Sequence, residues 1–592
     1  MKNFRILTFF LYPVLYFISP FPAMMILLIA ALFNECIVSF LNMYIHRKGL
    51  ELKNVHLHWK TCITTLIIIA FITLFFPGTS FIMINLLVGV GIAAMVISLC
   101  HCIKTYYRML SQKVSVKRTS STKGRICIIL CALAIPVIVA ACAVLPFLKQ
   151  PEISEDYVQD FDVSSFYSDE ESSERACVIS QNGEALEERV RMIANATESI
   201  IMSTFDMRSD TSGRILLASL MEAANRGVHV NLLIDGFSHM NNVWGNPYFM
   251  ALINTDNVTF KVYNPVNLFT PHTLMARMHD KYLIVDNSMY ILGGRNCYDY
   301  FLGDQPGYKN YDWDILVYNP APAEDSSVRS LLDYFDTVWN SSECIRLDSS
   351  ILWRNNPAVI RCRNELNELY SELTTAHGNW LKPADYENIT VETDKISLIT
   401  NPIHTGAKEP TVFFAMTELM KNARHSVYFH TPYIICDDVM LNTLASVCDH
   451  VENVYMLTNS VANNGNPFGA LDYLKYKEDI LSTGIQILEY DAGVSYHGKC
   501  FTIDDTLSGI GSFNWDMRSA YIDTELMLII DSPKINEQLR CAMETYEHQA
   551  LFVTGLDTYN LPPDVIPQII SDKRKLRIDL LRLLPEWIRE LM

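Results

Sequence analysis

Two segments of the chain hold histidine, lysine, aspartate, glycine and asparagine in one shared order. The first, HDKYLIVDNSMYILGGRN, carries His279, Lys281, Asp286, Gly293, Gly294 and Asn296. The second, HGKCFTIDDTLSGIGSFN, carries His497, Lys499, Asp504, Gly511, Ser512 and Asn514. In both, histidine precedes lysine by two positions, lysine precedes aspartate by five, aspartate precedes glycine by seven and glycine precedes asparagine by three. Residues two apart on a strand share a face, so each histidine projects together with its lysine. With an asparagine amide arriving from the next strand, the pair forms an anion-binding surface: the lysine is a point charge and the amide a directed donor. Asp286 and Asp504 each end an apolar run, where a carboxylate holds a turn through backbone N–H groups. Gly293, Gly294 and Gly511 let the backbone come close to its neighbours.

One copy supplies half of an acid–base pair. Two copies facing one phosphate put an imidazole on either side of it, one to attack phosphorus and one to protonate the departing alcohol. The attacking imidazole must be neutral, and a carboxylate behind it fixes its tautomer. Asp314 in YDWDILVY and Glu525 in DTELMLII occupy matching downstream places and are the expected carboxylates. Neither CxxC nor HExxH occurs, so no metal site is expected.

The elements that must position these groups can be read from periodicity. Ser199–Phe205 reads as an apolar strand, Gly213–Arg226 as a helix and Val228–Asp235 as a strand, together a βαβ unit. The order recurs with a helix over 411–424, strand Ser426–His430, a helix near 437–450, strand Val454–Thr458, a helix around 468–483 and strand Ile485–Tyr490. Each series runs into its own His–Lys motif. The expected fold is α/β: two similar lobes of mixed sheet flanked by helices, 177–390 and 391–555. The acidic, aliphatic-poor stretch 149–176 reads as a solvated linker. The tail 556–592 ends in a basic, leucine-rich helix that could lie on an anionic membrane or pack on its own domain.

Before all this lies a region of different character. Within 1–148 the apolar runs 22–45, 62–77, 81–103 and 126–148, with a shorter one over 4–19, read as four to five transmembrane helices. This region holds thirteen Lys and Arg against two acids, whereas the remainder holds 34 against 63. The basic loops place the cations in the cytoplasm and everything after Lys149 outside it. The acidity of the larger part argues against nucleic acid as a partner.

The paired motifs resemble the HxKx4Dx6G[GS]xxN signature of the phospholipase D superfamily, and the likeness extends over roughly 177–550. Within it, SVYFHTPYIICDD, GSFNWDMRSAYIDTELMLII and FDMRSDTSGRILLASLMEAANRGVHVNLLID look most like bacterial cardiolipin synthases. The resemblance implies a phosphohistidine on His279, with His497 as acid and then base. It implies phosphate contacts from Lys281, Lys499, Asn296 and Asn514, and support of the histidines by Asp314 and Glu525. It further implies that no metal or cofactor takes part. Phospholipids such as phosphatidylglycerol are the implied substrates, in a membrane. Hydrolysis by water shares the first half-reaction and stands as the alternative, with a nuclease further behind.

Overall fold

The structure is a computed structural model that describes residues 141–592 apart from 268–269, 349–350, 564 and 583–585. The expected spans lie outside the described residues except for the end of 126–148, where Val144 and Phe147 are instead buried in the core of the second lobe. Among the described residues, no helix is long and apolar enough to cross a membrane.

Val144–Pro265 and His272–Met592 form one compact body. In chain order its first lobe runs through β1 (Arg175–Ile179), β2 (Ser199–Thr204), β3 (His229–Asp235), β4 (Val258–Tyr263), β5 (Lys281–Val285), β6 (Met289–Gly293), β7 (Asn310–Tyr311), β8 (Asp314–Tyr318), β9 (Cys344–Leu347) and β10 (Val391–Glu392). The second follows with β11 (Lys395–Thr400), β12 (Ser426–His430), β13 (Ile434–Ile435), β14 (Asn453–Asn459), β15 (Gln486–Tyr490), β16 (Ser495–Tyr496), β17 (Cys500–Ile503), β18 (Leu507–Gly511), β19 (Trp515–Asp516), β20 (Leu526–Asp531), β21 (Ala550–Gly555) and β22 (Thr558–Asn560).

Among the described residues the strands make two nine-stranded sheets, ordered β10-β1-β8-β6-β5-β2-β3-β4-β9 and β11-β20-β18-β17-β12-β14-β15-β21-β22. From β1 and from β11 onward the two orders correspond strand for strand. Directions correspond as well: β2, β3 and β4 are parallel, as are β12, β14 and β15, and their flanking neighbours run antiparallel. In the first lobe β2 is buried along nearly its whole length and reads as an apolar run, whereas β12, β14 and β15 of the second alternate buried with partly buried positions at their starts.

Helices begin where short polar side chains cap them. Asp210 accepts from Gly213 N at the start of Thr211–Asn225, and Asp437 accepts from Met440 N at the start of Asp438–His450. Each helix covers the outer face of its own lobe. The inner faces share a core, in which Tyr282, Leu292, Trp313 and Ile315 meet Tyr496, Ile510, Leu526 and Leu528. Helices Ser327–Trp339 and Pro533–Glu547 complete this core with Leu331, Phe335, Leu539 and Tyr546.

Two boundaries differ from the sequence reading, and the tail takes one of its two expected places. The stretch 149–176 is not a free linker: Glu155–Asp160 is helical, and Phe166, only 7% exposed, enters the core of the second lobe. Phe161 packs edge-on against Phe414 there, so aromatic residues among the acids supply the anchor. At the junction, β10 pairs with β1, and the second sheet starts at Lys395. In the tail, helix Asp572–Leu581 rests on the second lobe through buried Ile578, and Arg574 donates to the carbonyls of Val461 and Ala462.

Candidate active site

Both motifs lie where the two lobes meet. His279 stands two residues before the start of β5 and His497 three before that of β17, with Lys281 and Lys499 buried beside them. Each lysine ammonium donates to the backbone carbonyl of its own histidine, Lys281 to His279 and Lys499 to His497.

The carboxylates are exchanged between lobes. Glu525, which immediately precedes β20 of the second lobe, lies 2.9 Å from His279 Nδ1. Asp312, between β7 and β8 of the first lobe, lies 2.6 Å from His497 Nδ1. The backbone repeats the exchange: His279 N donates to the Thr524 carbonyl at 3.3 Å and His497 N to the Tyr311 carbonyl at 2.7 Å. Parallel pairing of β16 with β7 and a bridge between Met278 and Thr524 lock both crossings.

Asp314 is therefore not the carboxylate behind a histidine, and the expectation is corrected to Asp312. Asp314 is fully buried, with Arg189 at 2.8 Å and Arg295 at 3.1 Å, and ties the first sheet to helix Asn182–Asn195. Strand register explains the shift. Gly293 faces Asp314 across the sheet, while the corresponding Gly511 faces Met527, so Asp312 is the counterpart of Glu525. Glu525, by contrast, does stand behind a histidine, that of the other lobe. Aligning the apolar runs Ile315–Val317 and Leu528–Ile530 supplies the same register from the letters alone.

The remaining motif residues build the frame. Asp286 accepts from the backbone N–H groups of Thr197, Glu198 and Ser199 at 2.8–2.9 Å. Asp504 does the same for Arg424, His425 and Ser426 at 2.8–3.0 Å. Both sit at positive φ, 50° and 48°, where a short polar side chain tolerates the left-handed turn. A Cβ on Gly293 would come within 2.2 Å of Asp314 and Trp313, and one on Gly511 within 2.1 Å of the Leu526 carbonyl. Gly294 leaves the space that the Asp312 carboxylate occupies. Ser512, at the same place in the second lobe, instead donates to Glu525, as does Ser519 at 2.7 Å. Asn296 Oδ1 and Asn514 Oδ1 are both buried, and among the described residues neither has a hydrogen-bond partner.

Burial dominates the electrostatics. It takes His279 well below the ordinary imidazole range, with Lys281 adding to the effect. His497 falls to about 4, through burial and then Lys499, against the hydrogen bond to Asp312. Burial lowers Lys281 to about 8 despite the attraction of Glu525, and lowers Lys499 as well. The carboxylates part ways. Burial raises Glu525 to about 7, against Lys281 and two serine donors. Burial also opposes ionisation of Asp312, but Lys499 and the bond to His497 outweigh it and leave the group below its usual value.

Phe205 packs edge-on against His279 at 5.3 Å and Phe301 against His497 at 4.9 Å. The arrangement thus brings together two cations, two amides and two neutral imidazoles, each imidazole braced through Nδ1. It can receive one tetrahedral anion between the lobes and offer a nucleophile and a proton donor. Among the described residues, no group of three or more His, Cys, Asp and Glu side chains is set to hold a metal ion, and the nine described cysteines are free.

Comparison with known proteins agrees with this duplication. The family described as "Cardiolipin synthase, PLD-like domain" matches twice, over 190–339 and 416–546, once in each lobe. A protein of Helicobacter pylori (strain ATCC 700392 / 26695), itself uncharacterised, is 26% identical over 66% of this chain and 83% of its own length. Cardiolipin synthase C of Escherichia coli (strain K12) is 23% identical over 64% of this chain and 85% of its own length. Among solved structures, phosphatidylserine synthase of Haemophilus influenzae Rd KW20 shares the fold with a TM-score of 0.50 and 16% identity, covering 69% of this chain and 93% of that one. With a matched domain in each lobe and both motifs complete, the chain belongs to the phospholipase D superfamily.

Proposed function

We propose that the protein is a membrane-bound phosphatidyltransferase similar to cardiolipin synthases. It moves a phosphatidyl group through a phosphohistidine on His279 to the hydroxyl of a second phospholipid such as phosphatidylglycerol. The observation that carries this reading is the reciprocal bracing of His279 by Glu525 and of His497 by Asp312 beside Lys281 and Lys499.

Glu525 accepts from His279 Nδ1–H and leaves Nε2 with a free lone pair. Nε2 attacks phosphorus, the bond to the headgroup oxygen breaks, and that oxygen takes a proton from His497. The ionised Asp312 behind His497 favours the protonated ring there, so His497 is the acid and His279 the nucleophile. Burial and then Lys499 hold the His497 ring below its usual range, and an anionic phosphodiester between the lysines counters the second of these and favours the protonated ring. Lys281 and Lys499 hold the phosphate oxygens, and the Asn296 and Asn514 amides, turned so that nitrogen faces the site, add directed donors.

The apolar runs of 1–148 anchor the chain as several transmembrane helices and set the lobes on the outer side of the membrane, where lipid headgroups are within reach. Purified protein in phosphatidylglycerol vesicles is expected to yield a diphosphatidyl lipid and glycerol, read by mass spectrometry. Phosphatidic acid as the sole product would instead make the enzyme a hydrolase. Cleavage of single-stranded DNA or RNA would make it a nuclease.

A further inference from the structure

The loops that follow β2 and β12 occupy the same place in the two lobes and differ in chemistry. Met207 bridges Cys297 in the first lobe and Ile434 pairs with Trp515 in the second, each partner being the residue after a motif asparagine. The next residue is Arg208 in one lobe and Ile435 in the other. Ile435 is buried, whereas the Arg208 side chain keeps 39% of its surface exposed.

Arg208 is held firmly for an exposed arginine. Its backbone N–H donates to the Cys297 carbonyl at 3.3 Å, one residue from Asn296. The guanidinium carbon lies 3.6 Å from the centre of the Tyr298 ring and 5.7 Å from that of Tyr300, a cation stacked on aromatic faces. Nε and Nη2 donate to one oxygen of Asp206 at 3.0 and 2.9 Å. Ser238 and Asn242 fix the other oxygen of Asp206, and Asp210 is a further acid that acts on this charge. None of the described hydrogen bonds uses Nη1, which leaves a donor for an outside acceptor.

A row of rings joins this arginine to His497. Phe301 packs on His497 at 4.9 Å and Tyr298 packs on Phe301 at 5.2 Å. The cation therefore lies on the side of the histidine that must take a proton from the incoming hydroxyl. Tyr300 and Tyr308, 39% and 46% exposed and 4.9 Å apart, extend the row to the surface.

We propose that Arg208, seated on Tyr298, is a second anion subsite that takes the phosphate of the acceptor phospholipid. The inference rests on the transfer reaction proposed above. Lys281 and Lys499 serve the transferred phosphate, and an acceptor that is itself a phospholipid brings another, which needs its own cation. In the second half-reaction the acceptor hydroxyl oxygen forms a bond to phosphorus. The bond from phosphorus to His279 nitrogen breaks, its electron pair stays on nitrogen, and His497 takes the hydroxyl proton. Water carries no second phosphate, so the subsite selects a lipid acceptor over hydrolysis.

The test uses the full chain in phosphatidylglycerol vesicles, wild type and R208Q, with products read by mass spectrometry. Isotopically labelled glycerol is the competing acceptor, because it has the hydroxyls without the phosphate, and soluble glycerol phosphate is a third. R208Q is expected to lower transfer to phosphatidylglycerol about tenfold relative to transfer to glycerol, the loss of one charge-assisted hydrogen bond. The ratio of hydrolysis to lipid transfer should rise, and R208K should restore part of it. Equal losses toward phosphatidylglycerol and glycerol would make Arg208 a structural residue and overturn the proposal, as would no loss toward either. A loss confined to glycerol phosphate would overturn the lipid-borne origin of the second phosphate. Wild-type protein that yields phosphatidic acid alone would overturn the transfer reading, and this inference with it.

Discussion

The two lobes repeat one sheet, one motif and one lysine contact, yet they brace their histidines with unlike carboxylates. Behind His279 stands Glu525, raised to about 7 by burial and bonded by the hydroxyls of Ser512 and Ser519. Behind His497 stands Asp312, held ionised by Lys499 and by the histidine itself despite burial. One motif position also differs: Gly294 makes room for Asp312, whereas Ser512 in the second lobe donates a hydrogen bond to Glu525 and opposes the rise that burial causes. Duplication supplies two imidazoles, and the unlike backing sets one beside a carboxylate raised by burial and the other beside a carboxylate held ionised.

Removing either imidazole should have the largest effect on that comparison. His279→Ala and His497→Ala should each lower turnover by about ten-thousand-fold or more. A phosphohistidine should be trappable by rapid alkaline denaturing quench in His497→Ala and absent in His279→Ala; the opposite pattern would exchange their roles. Asp312→Ala should follow, lowering kcat roughly a hundred- to ten-thousand-fold at temperatures where the protein stays folded, although Lys499 loses its buried partner. Asp314→Ala should do the reverse, costing about 3–5 kcal/mol of stability by leaving Arg189 and Arg295 buried without their anion. If Asp314→Ala instead lost kcat at full stability, the register-based assignment would fail.

The pH profile sharpens the comparison further. Below about pH 7 Glu525 takes a proton and loses the charge that steadies the His279 ring, so kcat should fall on the acid side. Glu525→Gln should remove that limb and lower kcat roughly ten- to hundredfold. Ser512→Ala is the mildest test. Without its hydroxyl Glu525 should titrate at higher pH, shifting the acid limb upward and slowing the reaction about two- to fivefold at pH 7. A Ser512→Ala profile that overlays the wild type would show that the serine does not tune the carboxylate.

Much of this was legible in the chain itself, for identifiable reasons. Strand Ser426–His430 and the helices ending at Asn225 and His450 appear within a residue or two of their expected bounds, because buried parallel strands and capped amphipathic helices write themselves plainly in apolar pattern and polar cap. The motif residues converge because their spacing is a property of a β-hairpin, which is local. Asp312 was missed because the connection from Asn296 to it is longer than that from Asn514 to Glu525, so downstream position misled where strand register would not have. The exchange of carboxylates between lobes has no local signature: it depends on how two sheets meet. The anchoring of 149–176 was hidden for a related reason, since four aromatic residues among many acids weigh little in composition but decide packing.

The exchange of carboxylates has one more consequence. Since each histidine draws its carboxylate from across the seam, the alignment of the lobes is itself a tuning parameter, common to both half-reactions. A change that slides one sheet against the other, however far from the pocket, detunes nucleophile and acid together. Sequence drift should therefore be freest on the outer helices and most restrained along the seam around Trp313, Tyr496 and Thr524, buried residues that keep two halves of a machine in step.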